Sequence, residues 1–225
     1  MLPRVILFNG VSLDARMDFG SGKMDMGLYY QTAASWNADA MLSGSNTIMA
    51  PLPPEMAETA DSFTPPAEYH PLAVPLMVVV DSRGRIRNWN FLRSQPFWHK
   101  IVALCSHATP PAHLRLLEEC QVEYIVTGED HVDYRTALET LNDRYGVRSI
   151  RLDSGGTLNG VLLRAGLVQE VSLLIDPCLV GGTSPRSFFI SPDLASGDGV
   201  IPLRLISLER LPNDVLWLRY EVVYA

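Results

Sequence analysis

The chain has 225 residues and a net charge of −7, with 47% hydrophobic and 19% charged residues. That length fits one domain by default, and the apolar share is enough for a sizeable core, which excludes a disordered chain. The pI near 5.2 and the lack of any dense Lys/Arg tract argue against a nucleic-acid partner.

RVILFN (4–9) reads as a buried strand, followed by a polar stretch from Ser12 to Lys23. MGLYYQTAASW (26–36) has helical spacing at Leu28, Ala33 and Trp36, and ADAMLSG (38–44) is a strand that ends in glycine before the short helix SNTIMA. Residues 51–75 hold seven prolines and read as a loop inserted in the domain. PLMVVVDSRGRI (75–86) is a buried strand and its turn; KIVALCS (100–106), VEYIVTG (122–128) and VRSIRLD (147–153) are further strands. HLRLLEEC (113–120) and DYRTALETLNDRYG (133–146) are the helices between them, the second opened by Asp133 and closed by Gly146. TLNGVLLRAG reads as a short helix, VQEVSLLIDPCLV (168–180) as a strand, and 201–224 as two strands around a turn at Pro212–Asp214. The alternation implies an α/β fold: a mostly parallel sheet with helices on both faces and an antiparallel C-terminal pair.

Apolar runs such as LAVPLMVVV fall short of the ~20 residues a membrane span needs. The N-terminus shows no signal-peptide pattern, and Cys105, Cys120 and Cys178 form no CxxC pair. A cytoplasmic protein without a membrane partner is expected. The five histidines are scattered, so no metal is expected. Cys105 lies inside an apolar strand and reads as core rather than nucleophile. GSGKMDMG (20–27) fits neither the dinucleotide fingerprint, because its third glycine falls two positions late, nor a phosphate loop.

Three junctions share a design: LSGSNT (42–47), VVVDSRGR (78–85) and LDSGGTLN (152–159) each place glycine and hydroxyl residues at the end of a buried strand. In open α/β sheets ligands bind outside those ends, where free amides and the helix dipole attract phosphate. One junction alone reads as a tight turn; three point to a phosphate-rich ligand. Arg83, just after its strand, can pair with an isolated phosphate such as the 2′-phosphate of NADP, whereas Arg85 and Arg87 read as solvated turn. NGVSLDARMD (9–18) brings Asn9, Ser12, Asp14 and Arg16 together, as a substrate-pocket lining or as a plain loop; the residues alone do not choose.

In order along the chain, SLDAR (12–16), GSNT (44–47), VVVDSR (78–83), DSGGTLNGVLLRAGLVQE (153–170) and PCLVGG (177–182) resemble the reductase domain of riboflavin biosynthesis, from Arg4 to about Gly182. The resemblance implies a dihydrofolate reductase-like fold and NADPH as hydride donor. It implies that Gly44, Ser45 and Thr47 meet cofactor phosphates, and that Asp81, Ser82 and Arg83 form the 2′-phosphate turn. Gly155, Gly156, Thr157 and Leu158 are implied to cradle the diphosphate side. Asn9, Ser12, Asp14, Arg16 and Asp153 are implied to face a phosphorylated substrate, with Asp14 and Asp153 as catalytic candidates and Arg16 or Lys23 as phosphate partners. The implied reaction reduces the ribose of a pyrimidine ribosylamine 5′-phosphate to a ribityl chain, in a homodimer built through the sheet. Asp153 stands where the family pattern has Glu, Ser154 where it has Gly, and Ala15 where it has Gly. A reductase of another heterocycle, such as a pterin or dihydrofolate, or a non-catalytic NADP-binding module, shares most of these features.

Overall fold

The computed structural model describes residues 1–17, 24–51, 74–183 and 186–224. Lys23 and most of the proline-rich stretch 51–75 lie outside the described residues. In chain order the elements are β1 (Arg4–Ser12), α1 (Met26–Ala33), β2 (Ala40–Gly44), α2 (Ser45–Met49), β3 (Leu76–Val80), α3 (Trp89–Arg93), β4 (Lys100–Cys105) and α4 (Pro111–Glu119). They continue with β5 (Glu123–Val126), α5 (Tyr134–Tyr145), β6 (Ser149–Leu152), α6 (Gly156–Arg164), β7 (Glu170–Asp176), β8 (Leu203–Arg210) and β9 (Leu216–Val222). They fall into two compact units, one of Met1–Pro3 and Ala38–Ile150, the other of Arg4–Asn37 and Arg151–Ala225.

In the first unit β2, β3, β4 and β5 pair in sequence order, all parallel. The apolar runs of β3 and β4 are buried on both faces, as central parallel strands require. Met77, Val79, Ala103 and Cys105 pack against Ile86, Trp89, Leu92 and Leu117. Trp89 has no exposed surface and anchors α3, which the sequence pattern did not reveal because five residues carry no helical period. α4 starts two residues earlier than expected: Pro111 takes the first turn, where its missing N–H costs nothing. α5 has the expected cap at each end. The Asp133 carboxylate accepts from the Thr136 amide at 3.2 Å, and Gly146 turns the chain at φ +67°.

In the second unit the strand order is β1-β7-β9-β8, parallel between β1 and β7 and antiparallel beyond. β1 runs three residues past its expected end, because Gly10, Val11 and Ser12 stay in register with β7 as far as Asp176. β7 ends there because Pro177 has no N–H to continue a ladder. α1 is capped by Asp25, whose carboxylate accepts from the Leu28 amide at 3.0 Å. Its fully buried side is Tyr29, Thr32 and Ala33; Leu28 and Trp36 of the expected stripe pack half-buried on the same core, Trp36 from a following 3-10 turn. Phe8, Tyr29, Ala33, Leu174 and Val215 form the core there, with Trp36 and Trp217 packed on it. Glu170 is fully buried at the start of β7 and meets Arg4 at 2.6 Å and Arg219 at 2.7 Å. Among the described residues no helix is long and apolar enough to cross a membrane.

Candidate functional site

In the first unit the register sets Gly44, Val80 and Leu104 side by side, so the turns that follow β2, β3 and β4 leave from one edge. The turn after β3 is organised by Asp81, which is 1% exposed. Its carboxylate accepts from the amides of Arg85 at 3.0 Å and Ile86 at 2.9 Å, and its carbonyl accepts from the Gly84 amide at 3.0 Å. Gly84 has φ +61°, and a Cβ there would lie 2.7 Å from the His113 side chain, so the turn requires glycine on two counts. Thr109 donates to the Ser82 carbonyl at 2.8 Å. Asp81 therefore shapes the loop from inside, while Ser82 is half-buried and Arg83 points its exposed side chain outward.

Arg85 and Arg87 are exposed, as the solvated-turn reading expected, but each also ties the turn to its surroundings. Arg85 Nη2 donates to Ser45 Oγ at 2.6 Å and to Asn46 Oδ1 at 2.8 Å, tying the β3 turn to the first turn of α2. This link brings together Ser45 and the 81–85 turn, and Gly44 and Thr47 flank Ser45 on the same short segment. Arg87 donates to the Gly84 carbonyl at 2.9 Å and approaches buried His113 Nδ1 at 3.1 Å. His113 Nε2 lies 3.3 Å from Asp81 Oδ2, within range of its charge but without hydrogen-bond alignment. Burial first, and then the Arg87 charge, hold His113 below its ordinary pKa, although Asp81 pulls the other way. Cys105 has no exposed surface, and burial pushes its thiol up to about 12; it is core, as its place in an apolar strand implied.

In the second unit the segment leaving β1 is a closed loop. Asp14 accepts from Ser12 Oγ at 2.6 Å, the Gly181 amide at 2.7 Å and the Val180 amide at 3.1 Å. The Ser12 hydroxyl and then the two amides hold its carboxyl down to about 2, so Asp14 stays ionised near neutrality. Arg16 donates through Nε to the Gly181 carbonyl at 2.9 Å. Ala15 has φ +61°; this is the left-handed region, which costs a non-glycine residue roughly 1 kcal/mol and suits the glycine of the resembling family. Ser12, Asp14 and Arg16 thus join the 180–181 segment.

Asn9 joins a different group. Its Nδ2 donates to the Ser154 carbonyl at 3.1 Å, and fully buried Asn159 donates to Asn9 Oδ1 at 2.7 Å and to the Phe188 carbonyl at 2.8 Å. Asp153 is held by Tyr29, whose hydroxyl donates to Oδ1 at 2.9 Å, while Arg151 Nη2 stands 3.7 Å from Oδ2. Burial raises the Asp153 carboxyl above its ordinary range against the pull of Arg151 and the Tyr29 bond. The two acids differ in kind: Asp14 is a fixed anion, and Asp153 is a carboxyl that titrates closer to neutrality. α6 starts at Gly156 with Gly155 as its N-cap, a residue that supplies no side-chain cap. Thr157 beside them is exposed and Leu158 is buried.

Gly156 is glycine for a further reason. A Cβ there would sit 2.1 Å from the Ser187 carbonyl, and one on Gly160 would sit 1.9 Å from the Ile190 carbonyl. The segment Arg186–Ser191 lies against α6 through these two glycines, with the Ile190 amide donating to the Gly156 carbonyl at 3.0 Å. It also reaches the SLDAR loop, where the Met17 amide donates to the Arg186 carbonyl at 3.0 Å. Sequence reading missed this strap, along with Asn159, Tyr29 and the Arg85 link. The i, i+4 spacing of Gly156 and Gly160 is the signal that a backbone approaches one face of that helix.

The fold is shared with reductase domains of dihydrofolate reductase-like architecture. Acinetobacter baumannii RibD superposes with a TM-score of 0.73 at 20% identity over 99% of this chain and 58% of its own, so the chain spans somewhat over half of that protein's length. A pyrimidine reductase-like protein from Corynebacterium diphtheriae superposes with a TM-score of 0.74 at 16% identity, over 99% of this chain and 93% of its own. The family model of the RibD C-terminal domain matches residues 3–217, and the chain belongs to that family. A 2,5-diamino-6-ribosylamino-4(3H)-pyrimidinone 5′-phosphate reductase of Methanothermobacter thermautotrophicus is 29% identical over 205 residues, 89% of this chain and 87% of that protein. One of the same name from Archaeoglobus fulgidus is 27% identical over 220 residues, 94% of each chain.

Proposed function

We propose that this protein is an NADPH-dependent reductase of riboflavin biosynthesis, acting on the diamino form of a ribosylaminopyrimidinone 5′-phosphate. The match to two relatives of that name over most of their length supports the substrate class. The observation that carries the cofactor is the Asp81-centred turn, which offers Ser82 and an outward guanidinium on Arg83 as a phosphate seat. NADPH would supply hydride to the sugar carbon bonded to nitrogen. Asp153, with its raised pKa, suits proton traffic at the opening ribosylamine, whereas Asp14, ionised near neutrality, suits loop fixation and contacts to hydroxyls. Cys105, Cys120 and Cys178 stand as thiols, which suits a reducing, cytoplasmic setting.

Incubation with NADPH and the diamino or the deaminated pyrimidine, followed at the nicotinamide absorbance band, tests the function. Oxidation of NADPH with the diamino form is expected, and no oxidation with either form overturns the reading. Arg83→Ala is expected to raise KM for NADPH roughly tenfold to a hundredfold with little change for NADH, as loss of one charge-assisted contact implies. Equal effects on both cofactors would remove Arg83 from the 2′-phosphate site.

We further propose a homodimer through β8. It is the edge strand of its unit and exposes Leu203, Leu205, Ile206 and Leu208 at 45%, 55%, 47% and 58%, a row that an unprotected edge does not normally carry. Leu205→Lys with Leu208→Lys is expected to give a monomer in sedimentation analysis where the native protein sediments as a dimer.

A further inference from the structure

We propose that Tyr29 is a positioning residue for Asp153, its phenol fixing the orientation in which that carboxyl meets the substrate. The inference rests on the reductase reading above. Tyr29 is 6% exposed, and its ring is clamped by Phe8 at 4.6 Å and Tyr30 at 5.4 Å between centroids. Phenylalanine would make the same ring contacts, so packing alone does not account for the hydroxyl. A phenol has one proton to give. Its acceptors are Asp153 Oδ1 at 2.9 Å and the Phe8 carbonyl at 3.4 Å, and the carboxyl is the better placed. On the other oxygen Arg151 stands off at 3.7 Å. The titratable and charged groups facing Asp153 are thus Tyr29 and Tyr30 from α1 and Arg151 from β6. Asp153 is one methylene shorter than the Glu of the family pattern, and Tyr29 pins this short side chain at a single oxygen.

A phenol that donates to a carboxylate stabilises its ionised form. Tyr29→Phe keeps the ring and removes the donor, so the Asp153 pKa rises further; 3-fluorotyrosine placed at 29 is a stronger donor and lowers it. The readouts are the carboxyl resonance of Asp153, assigned with Asp153→Asn, and the pH profile of kcat. Tyr29→Phe is expected to move the carboxyl titration and the limb of the kcat profile that Asp153 governs upward together by about one pH unit or more. It is also expected to lower kcat roughly tenfold while KM for NADPH holds, and fluorotyrosine is expected to shift the titration and that limb the opposite way. In an Asp153→Asn background Tyr29→Phe should add nothing. An unchanged titration, or a kcat loss without movement of the limb, overturns the proposal. If the native protein turns over neither pyrimidine, the reductase reading falls, and the carboxyl titration alone decides the Tyr29 pairing.

Discussion

Arg219→Met is expected to destabilise the protein by about 3 kcal/mol, the low end for breaking a buried ion pair, and to lower Tm by roughly 6–12 °C for a chain of this size. Glu170 has no exposed surface and is held by Arg219 Nε at 2.7 Å and Arg4 Nη2 at 2.6 Å. Arg219 also lies over the rings of Trp36 and Trp217, at 5.6 Å and 5.5 Å. Arg4 is more than half exposed, so water competes for its charge, and Arg219 is the partner that shields the carboxylate. Methionine fills much of the volume between the tryptophans but leaves Glu170 short of one charge in a dry setting. The cost therefore lies mainly in the stranded carboxylate, and adding Glu170→Gln to Arg219→Met should recover a large part of it. Thermal and denaturant unfolding of the three variants measures this. A double variant no more stable than the single one would mean that the arginine acts through packing on the indoles rather than through charge.

This pair shows where the sequence was legible and where it was not. Apolar runs such as LMVVV and IVALC announce buried parallel strands by composition alone. Asp133 and Gly146 announce helix ends by local chemistry. The three glycine-bearing junctions announced themselves too, because each is a contiguous stretch of chain. What stayed hidden depends on residues far apart in sequence. Tyr29 meets Asp153 across 124 positions, and Asn159 meets Asn9 across 150. A tyrosine on an amphipathic helix looks like core until its hydroxyl is seen to have an acceptor. Arg85 and Arg87 sit in a polar turn like any solvated pair, and only the register of β2 with β3 brings Ser45 within reach of Arg85. Asp14 and Asp153 look alike as letters, yet two backbone amides and a hydroxyl make the first a fixed anion, while burial makes the second titratable.

The same limit explains the strap, and its test is a single added methyl group. Gly160→Ala is expected to cost about 2–4 kcal/mol, from an overpacked contact and the hydrogen bonds it breaks, although alanine is the better helix former by roughly 1 kcal/mol. The new Cβ would lie 1.9 Å from the Ile190 carbonyl oxygen and 2.8 Å from its carbon, and neither is the yielding tip of a side chain. Ile190 must lift away. That strains the Ile190 amide bond to the Gly156 carbonyl and the Asn159 bond to the Phe188 carbonyl. Asn159 is fully buried, so an amide proton left without an acceptor there is costly. Gly197→Ala is the control, since a Cβ at Gly197 meets nothing within 4 Å; it should unfold like the native protein. Because the strap also accepts from Met17 beside the SLDAR loop, Gly160→Ala should loosen that loop as well as the strap. Limited proteolysis should cut near Ser187–Ser191 in Gly160→Ala and spare that segment in Gly197→Ala. Equal protection in both would show that the strap is held by the loop end, through Arg186 and Met17, rather than by the glycine face of α6.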